Sequence, residues 1–167
     1  MDENCVELSC EDGIATLTLN RPDSLNAMSA KMMRSLDGRL DEIERLPGLR
    51  VVIITGAGRA FSAGGDLKEF AEALAAGGTR LIDALRYNQD VLQRVEDIAV
   101  PVIAAANGTT IAGGLELLLC CDIVLAGEDA RIGDGHARYG IVPAGGATVR
   151  LRERLSPSQA AQLFYTA

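Results

Sequence analysis

VIAAANGTTIAGGLELLLCCDIVLAG, residues 102 to 127, is the stretch whose reading decides the fold. Val102 and Ile103 open it as a β-branched run that reads as a buried strand, and the small residues Ala104 to Gly108 follow. A loop then closes on Gly113-Gly114. From Leu115 to Cys121 every residue is apolar except Glu116. This pattern predicts a strand, a tight loop, and a helix whose first turn begins at the glycine pair. A helix start leaves backbone N–H groups unpaired and carries partial positive charge. Gly113 has no Cβ, so a ligand oxygen can come close to those donors. Glu116 sets a carboxylate one turn further in. An anion hole beside a carboxylate base suits proton chemistry next to a carbonyl. The plainer alternative is a glycine-rich helix start with a solvated glutamate.

A second stretch repeats the pattern. VVIITGAGRAFSAGGDLKEF, residues 51 to 70, is again strand, glycine-rich loop and helix start. Asp66 can cap that helix, with Glu69 three residues on in the manner of a capping box. Gly65 stands just before the cap, so its amide is a candidate second donor. Amides from Gly65 and Gly113 can converge on one carbonyl oxygen. A nicotinamide-binding reading of Gly56-Ala57-Gly58 is weak: Phe61 stands at the third glycine position and no Tyr-x-x-x-Lys pair follows.

Taken with NRPDSLNAMS and YGIVPAGG, these blocks resemble the enoyl-CoA hydratase/isomerase (crotonase) family, in the family's order and over nearly the whole chain. The resemblance implies an α/β fold, a crotonase-like spiral of ββα units, in one domain over residues 1–167. It implies an acyl-CoA substrate, with coenzyme A entering as part of that substrate and no permanently bound cofactor. Leu25, Asn26 and Ala27 become ligand-wall positions beside the pantetheine, with Ala63, Asp66 and Leu67 as further substrate-binding positions. Gly65 and Gly113 become the oxyanion hole, and Glu116 the acid/base. Hydratases of the family use two glutamates; the first falls on Glu116, but the second falls on His136. That departure puts hydration in doubt and opens thioester or C–C hydrolysis, decarboxylation or a double-bond shift. A non-catalytic acyl-CoA-binding form is the other alternative. The resemblance also implies a homo-oligomer, a trimer or dimer of trimers. The C-terminal helices that build it are missing from this sequence, so an apolar surface is expected to stand uncovered.

The remaining residues bound the answer. At 167 residues with 48% hydrophobic content the chain can bury a proper core. A formal charge of −7 argues against nucleic acid or an anionic membrane as partner. No apolar run approaches the ~20 residues of a membrane span. MDENCVELSCEDG lacks the order of a signal peptide, and a cytoplasmic protein is the expectation. Cys5, Cys10, Cys120 and Cys121 show no metal-ligand spacing, and the lone His136 completes no familiar zinc site.

Local patterns predict strands at 5 to 10 and 14 to 19 around a Glu11-Asp12-Gly13 turn. A helix capped by Ser29 should bury Met33, Leu36, Leu40 and Ile43. A short helix over 66 to 75 should be followed by a longer one up to Asp97, with Leu81, Leu85, Leu92 and Val95 on one side. Phe70, Leu74 and Leu81 are candidates to touch an acyl chain, with core packing as the first expectation. Asp134 can orient the ring of His136. Arg138 is a candidate partner for Glu116, Asp134 or a substrate carboxylate. Ser156-Pro157-Ser158-Gln159 reads as a final helix start.

Overall fold

The computed structural model describes residues 4–166; residues 1–3 and 167 of the expected domain lie outside the described residues. Alternation sets its base. In β2 (Ile14–Leu19) Ala15, Leu17 and Leu19 are buried, while the threonines between them are half-buried. β1 (Val6–Glu11), one residue later than expected, pairs with it antiparallel, Val6 opposite Leu19. Asp12 and Gly13 join the strands with φ of 49° and 76°, as a tight hairpin turn requires.

The helix α1 (Ala30–Ile43) starts where Ser29 Oγ accepts from Met32 N at 3.1 Å. It buries Met32, Met33, Leu36, Leu40 and Ile43. Each such side chain is worth about 1.5–3 kcal/mol of transfer from water. This crossover returns the chain so that β3 (Val51–Gly56) lies parallel to β2. β5 (Val102–Ala106) and β7 (Ile123–Ala126) continue the parallel sheet, in the order β1-β2-β3-β5-β7.

A second sheet was not expected as such. β4 (Ala60–Ser62), β6 (Thr109–Ile111) and β8 (Ile132–Gly133) form a three-stranded parallel sheet in that order. Two of these strands fall in segments read as glycine-rich loops. They are short, and their pairing is with other circuits of the chain, so no local alternation announces them. Met28 bridges in parallel to Gly65 beyond the end of β4 and ties the first circuit to the next. Each later circuit therefore lays a strand in each sheet before its helices. These are α2 (Leu67–Ala76) and α3 (Arg80–Glu96) after β4, and α4 (Gly113–Leu119) after β6. A 3-10 turn, His136–Tyr139, follows β8, then α5 (Ala147–Arg154) and α6 (Pro157–Thr166).

Side chains tie the helices down. Arg94 on α3 pairs with Asp37, with Asp41 at 2.7 Å and with Glu44 at 2.8 Å on and just beyond α1. Tyr87 donates to Asp37 at 2.9 Å, and burial, reinforced by that bond, pushes its phenol up to about 12. Asp66 caps α2 by accepting from Glu69 N at 3.4 Å, but Glu69 does not close the expected box. Its Oε2 accepts instead from Ala30 N at 2.7 Å, at the start of α1. The box does close at α6, where Gln159 Oε1 accepts from Ser156 N at 3.1 Å. No disulfide joins the cysteines among the described residues; burial pushes the Cys120 thiol up to about 12, which leaves it unreactive. The edge strand β7 leaves Ile123, Val124 and Leu125 exposed. No helix among the described residues is long and apolar enough to cross a membrane.

Candidate active site

The β6–α4 junction builds one wall of the site. Ala112 turns the chain from strand to helix in a single residue, at φ 51° and ψ −121°, a conformation that alanine rarely adopts. The next residue is Gly113, whose N–H has no acceptor among the described residues. Gly65 N–H is equally uncommitted, because the bridge to Met28 uses the groups on either side of it. The two glycines stand together: a Cβ built on Gly113 would lie 3.5 Å from Gly65 N and 3.1 Å from Met28 Sδ. One built on Gly65 would meet the Phe70 ring at 2.4 Å, so a side chain there requires that ring to move.

Glu116 comes from the first turn of α4 and is only 4% exposed. Its Oε1 accepts from Gly145 N at 2.6 Å and from Ala147 N at 3.2 Å. A Cβ on Gly145 would lie 2.5 Å from Glu116 Oε2, so the turn before α5 closes this tightly only with glycine there. Burial raises the pKa of this carboxyl above the ordinary value, against the opposing pull of Ala147 N–H, His136 and Gly145 N–H. The glutamate is therefore not the solvated side chain of the plainer reading.

His136 faces it. Asp134, 1% exposed, accepts from the His136 backbone N–H at 3.1 Å, and its Oδ1 lies 2.9 Å from Nδ1 of the ring. This assigns the ring proton to Nδ1 and leaves Nε2 as an acceptor, 3.9 Å from Glu116 Oε2. That separation exceeds a hydrogen bond, so both atoms remain open to a ligand.

Gly65, Gly113, Glu116 and His136 line a cavity of about 440 Å³ whose other walls are apolar apart from Asn88 and Tyr139. Phe70, Leu74 and Leu81, expected first as core, line it instead; Leu74 is 70% exposed and α2 buries no residue. Tyr139, Ile141 and Val142 from the segment after β8 complete it, unforeseen because nothing in their local pattern points inward. A second cavity of about 620 Å³ shares Gly65, Phe70 and His136 with the first. Ala27, Ala63, Asp66 and Leu67 line it, together with Arg21, Lys68 and Arg138. Arg138 pairs with neither Glu116 nor Asp134; it and Lys68 make no ion pair among the described residues. Arg21 bonds Ala27 O at 2.8 Å and Asp66 at 3.4 Å.

Leu25 and Asn26 line neither cavity. Asn26 is fully buried and its side chain is spent on the backbone. It accepts from Arg21 N at 2.8 Å and donates to Ala57 O at 3.0 Å and Ala60 O at 2.8 Å. The Gly145 and Ala147 amides were not foreseen as partners of Glu116, although a glycine pair before a helix was the available signal. Among the described residues no group of three or more His, Cys, Asp or Glu is placed to hold a metal ion.

Paired sheets wound in a spiral, with uncommitted glycine amides beside a buried carboxyl, define a crotonase-like α/β protein. The comparisons agree. A model of the enoyl-CoA hydratase/isomerase family matches residues 9–167. The short-chain-enoyl-CoA hydratase of Clostridium acetobutylicum is 38% identical over 168 residues, covering 100% of this chain and 63% of the relative. The crotonyl-CoA hydratase of Syntrophomonas wolfei is 37% identical over 166 residues, covering 99% and 62%. A crystal structure of an enoyl-CoA hydratase from Bacillus anthracis matches with a TM-score of 0.91 at 34% identity, over 98% of this chain and 63% of that one. The chain belongs to the enoyl-CoA hydratase/isomerase family, and spans 53% to 63% of the length of the curated relatives compared with it.

Proposed function

We propose that the chain processes acyl-CoA thioesters by chemistry of the hydratase/isomerase type. The observation that carries this reading is the pair of uncommitted amides, Gly65 and Gly113, in the same cavity wall as the buried Glu116. A thioester oxygen that accepts from both amide N–H groups takes on negative charge as an enolate forms, which acidifies the α-carbon. In other enzymes, losing one such donor costs about 2.7–4 kcal/mol of barrier. Glu116, its pKa raised by burial, then gives or takes the α-proton.

His136 decides the outcome. With its proton on Nδ1, Nε2 can draw a proton from water as the oxygen attacks the β-carbon, while protonated Glu116 delivers a proton to the α-carbon. Water is thereby added across the double bond, and the proton on His136 must pass back to Glu116 before the next turn. Without the water, Glu116 alone can move a proton between carbons and shift the double bond. The acyl chain occupies the apolar 440 Å³ cavity, and coenzyme A enters as part of the substrate. Its phosphates meet Lys68 and Arg138 at the outer cavity. A homo-oligomer remains the proposed assembly.

The Asp134–His136 contact of 2.9 Å favours a second reading, in which His136 activates water against the thioester carbonyl. A panel of CoA thioesters followed by mass spectrometry separates these. Gain of one water supports hydration, and unchanged mass with altered retention supports isomerisation. Free CoA supports hydrolysis. Thermal stabilisation by CoA thioesters without turnover marks a binding form. No product and no stabilisation from any thioester overturns the acyl-CoA reading.

A further inference from the structure

The peptide groups that hold Glu116 are themselves held from behind. Gly145 N–H donates to Glu116 Oε1 at 2.6 Å, and the carbonyl of the same peptide, on Ala144, accepts from Gln89 Nε2. One peptide on, the Gly145 carbonyl accepts from Arg150 Nη1 at 2.8 Å. Arg150 is anchored in turn by Glu96 on α3, with Nη2 at 2.6 Å and Nε at 3.1 Å from Glu96 Oε2. The guanidinium lies in the space that a side chain on Gly146 would fill: at φ 109°, a Cβ there would stand 2.0 Å from Nη1.

We propose that Arg150 is a positioning residue for Glu116, locking the Gly145–Ala147 turn that presents two amides to the carboxyl and setting positive potential behind them. The peptide that Arg150 binds, Gly145 C=O with Gly146 N–H, lies between the two that donate to Glu116. The cation therefore acts by fixing the turn and through space, where positive charge favours the ionised carboxylate. The pKa of Arg150 is raised first by its hydrogen bond to Glu96 and, to a lesser degree, by the charge of Glu116. The other groups facing Glu116 are His136 and Asp134 from the segment after β8, Tyr139 in the cavity wall, and Cys120 just past the end of α4. Only Arg150 carries a fixed positive charge among them. Glu96 partly cancels it.

The inference rests on Glu116 being the acid/base of the reading above, so its main readout needs no substrate. Carbon-13 NMR titration of the Glu116 carboxyl, assigned by its loss in Glu116→Gln, follows the native chain and three variants. Arg150→Gln should raise the Glu116 midpoint by about one unit, and Arg150→Lys should return it towards the native value. Glu96→Gln should move it down, since it removes the anion that offsets Arg150. Turnover of the best thioester should fall roughly ten- to a hundredfold in Arg150→Gln through kcat, with KM little changed. A midpoint left in place by Arg150→Gln in a folded chain overturns the proposal. If that variant does not fold, Glu96→Gln decides, and no downward shift there overturns it. Shifts of the expected signs in a chain that turns over no thioester uphold the positioning of Glu116 and reject its acid/base role instead.

Discussion

His136 Nε2 stands 3.9 Å from Glu116 Oε2, with Asp134 holding the opposite ring nitrogen at 2.9 Å. The pair is an imidazole facing a carboxyl where a hydratase of this family would carry two carboxyls. Replacement in His136→Glu restores two carboxyls, and hydration of a short enoyl-CoA should rise while any native hydrolysis falls. Two buried glutamates repel, so one pKa climbs and the pH optimum of hydration moves up. Rates against pH for the native chain, His136→Glu and His136→Ala test this. Identical profiles in all three would make His136 a bystander.

Gly113→Val should abolish most turnover while the fold survives. The new Cβ would lie 3.5 Å from Gly65 N, across the space assigned to the thioester oxygen, and its nearest clash is the flexible Met28 Sδ at 3.1 Å. A fall of about a hundredfold or more is expected from losing one donor. Normal turnover by a folded Gly113→Val chain would remove the oxyanion assignment.

Glu116→Gln should trade activity for stability. The amide oxygen can still accept from Gly145 and Ala147, but no charge is buried. Because burial raises the folded pKa of Glu116, the native fold binds this proton more tightly than the unfolded chain. That stabilisation is complete below the unfolded value near 4.5 and is lost as pH rises through the folded value. The variant should therefore gain about 2–4 °C in Tm at pH above the folded value, what roughly 1 kcal/mol gives a domain of this size. The gain should close as pH falls towards about 4. Thermal melts across that range check it; a constant gap would argue against the raised ionisation.

Asn26→Ala should act on the fold and not on the ligand. Three hydrogen bonds are lost together, a buried one to Ala60 O and part-buried ones from Arg21 N and to Ala57 O. A destabilisation of about 2–3 kcal/mol is expected, most of it from the unsatisfied buried Ala60 carbonyl, read by denaturant unfolding. Weaker thioester binding at unchanged stability would instead return Asn26 to the ligand wall.

Ala112→Gly should stabilise the chain. Its φ of 51° with ψ −121° is a glycine conformation, and relief of about 1–3 kcal/mol of strain exceeds the entropy that glycine adds. A Tm that falls in this variant would show that the alanine methyl packs well enough to offset the strain.

Local order dictated much of this protein. The Asp12-Gly13 hairpin, the Ser29-capped helix with its buried Met33, Leu36, Leu40 and Ile43, and the glycine starts of the two site helices were all legible. Each depends on interactions within a few residues, where period, cap and turn chemistry act directly. Glu116 was legible for a related reason, as a single acid in an apolar helix. Only the tertiary structure decided the rest. β4 and β6 exist because each circuit pairs with the next, a choice made by residues some fifty positions apart, such as Ala60 and Thr109. Phe70 and Leu74 were expected first as core, yet they face a cavity, because α2 stands off the sheets and buries no residue; Leu81, in the first turn of α3, faces the same cavity. The environment of Glu116 belongs to the same class. Its partners at Gly145, Ala147 and His136 arrive from later turns of the spiral, and a pKa depends on what surrounds a group in space.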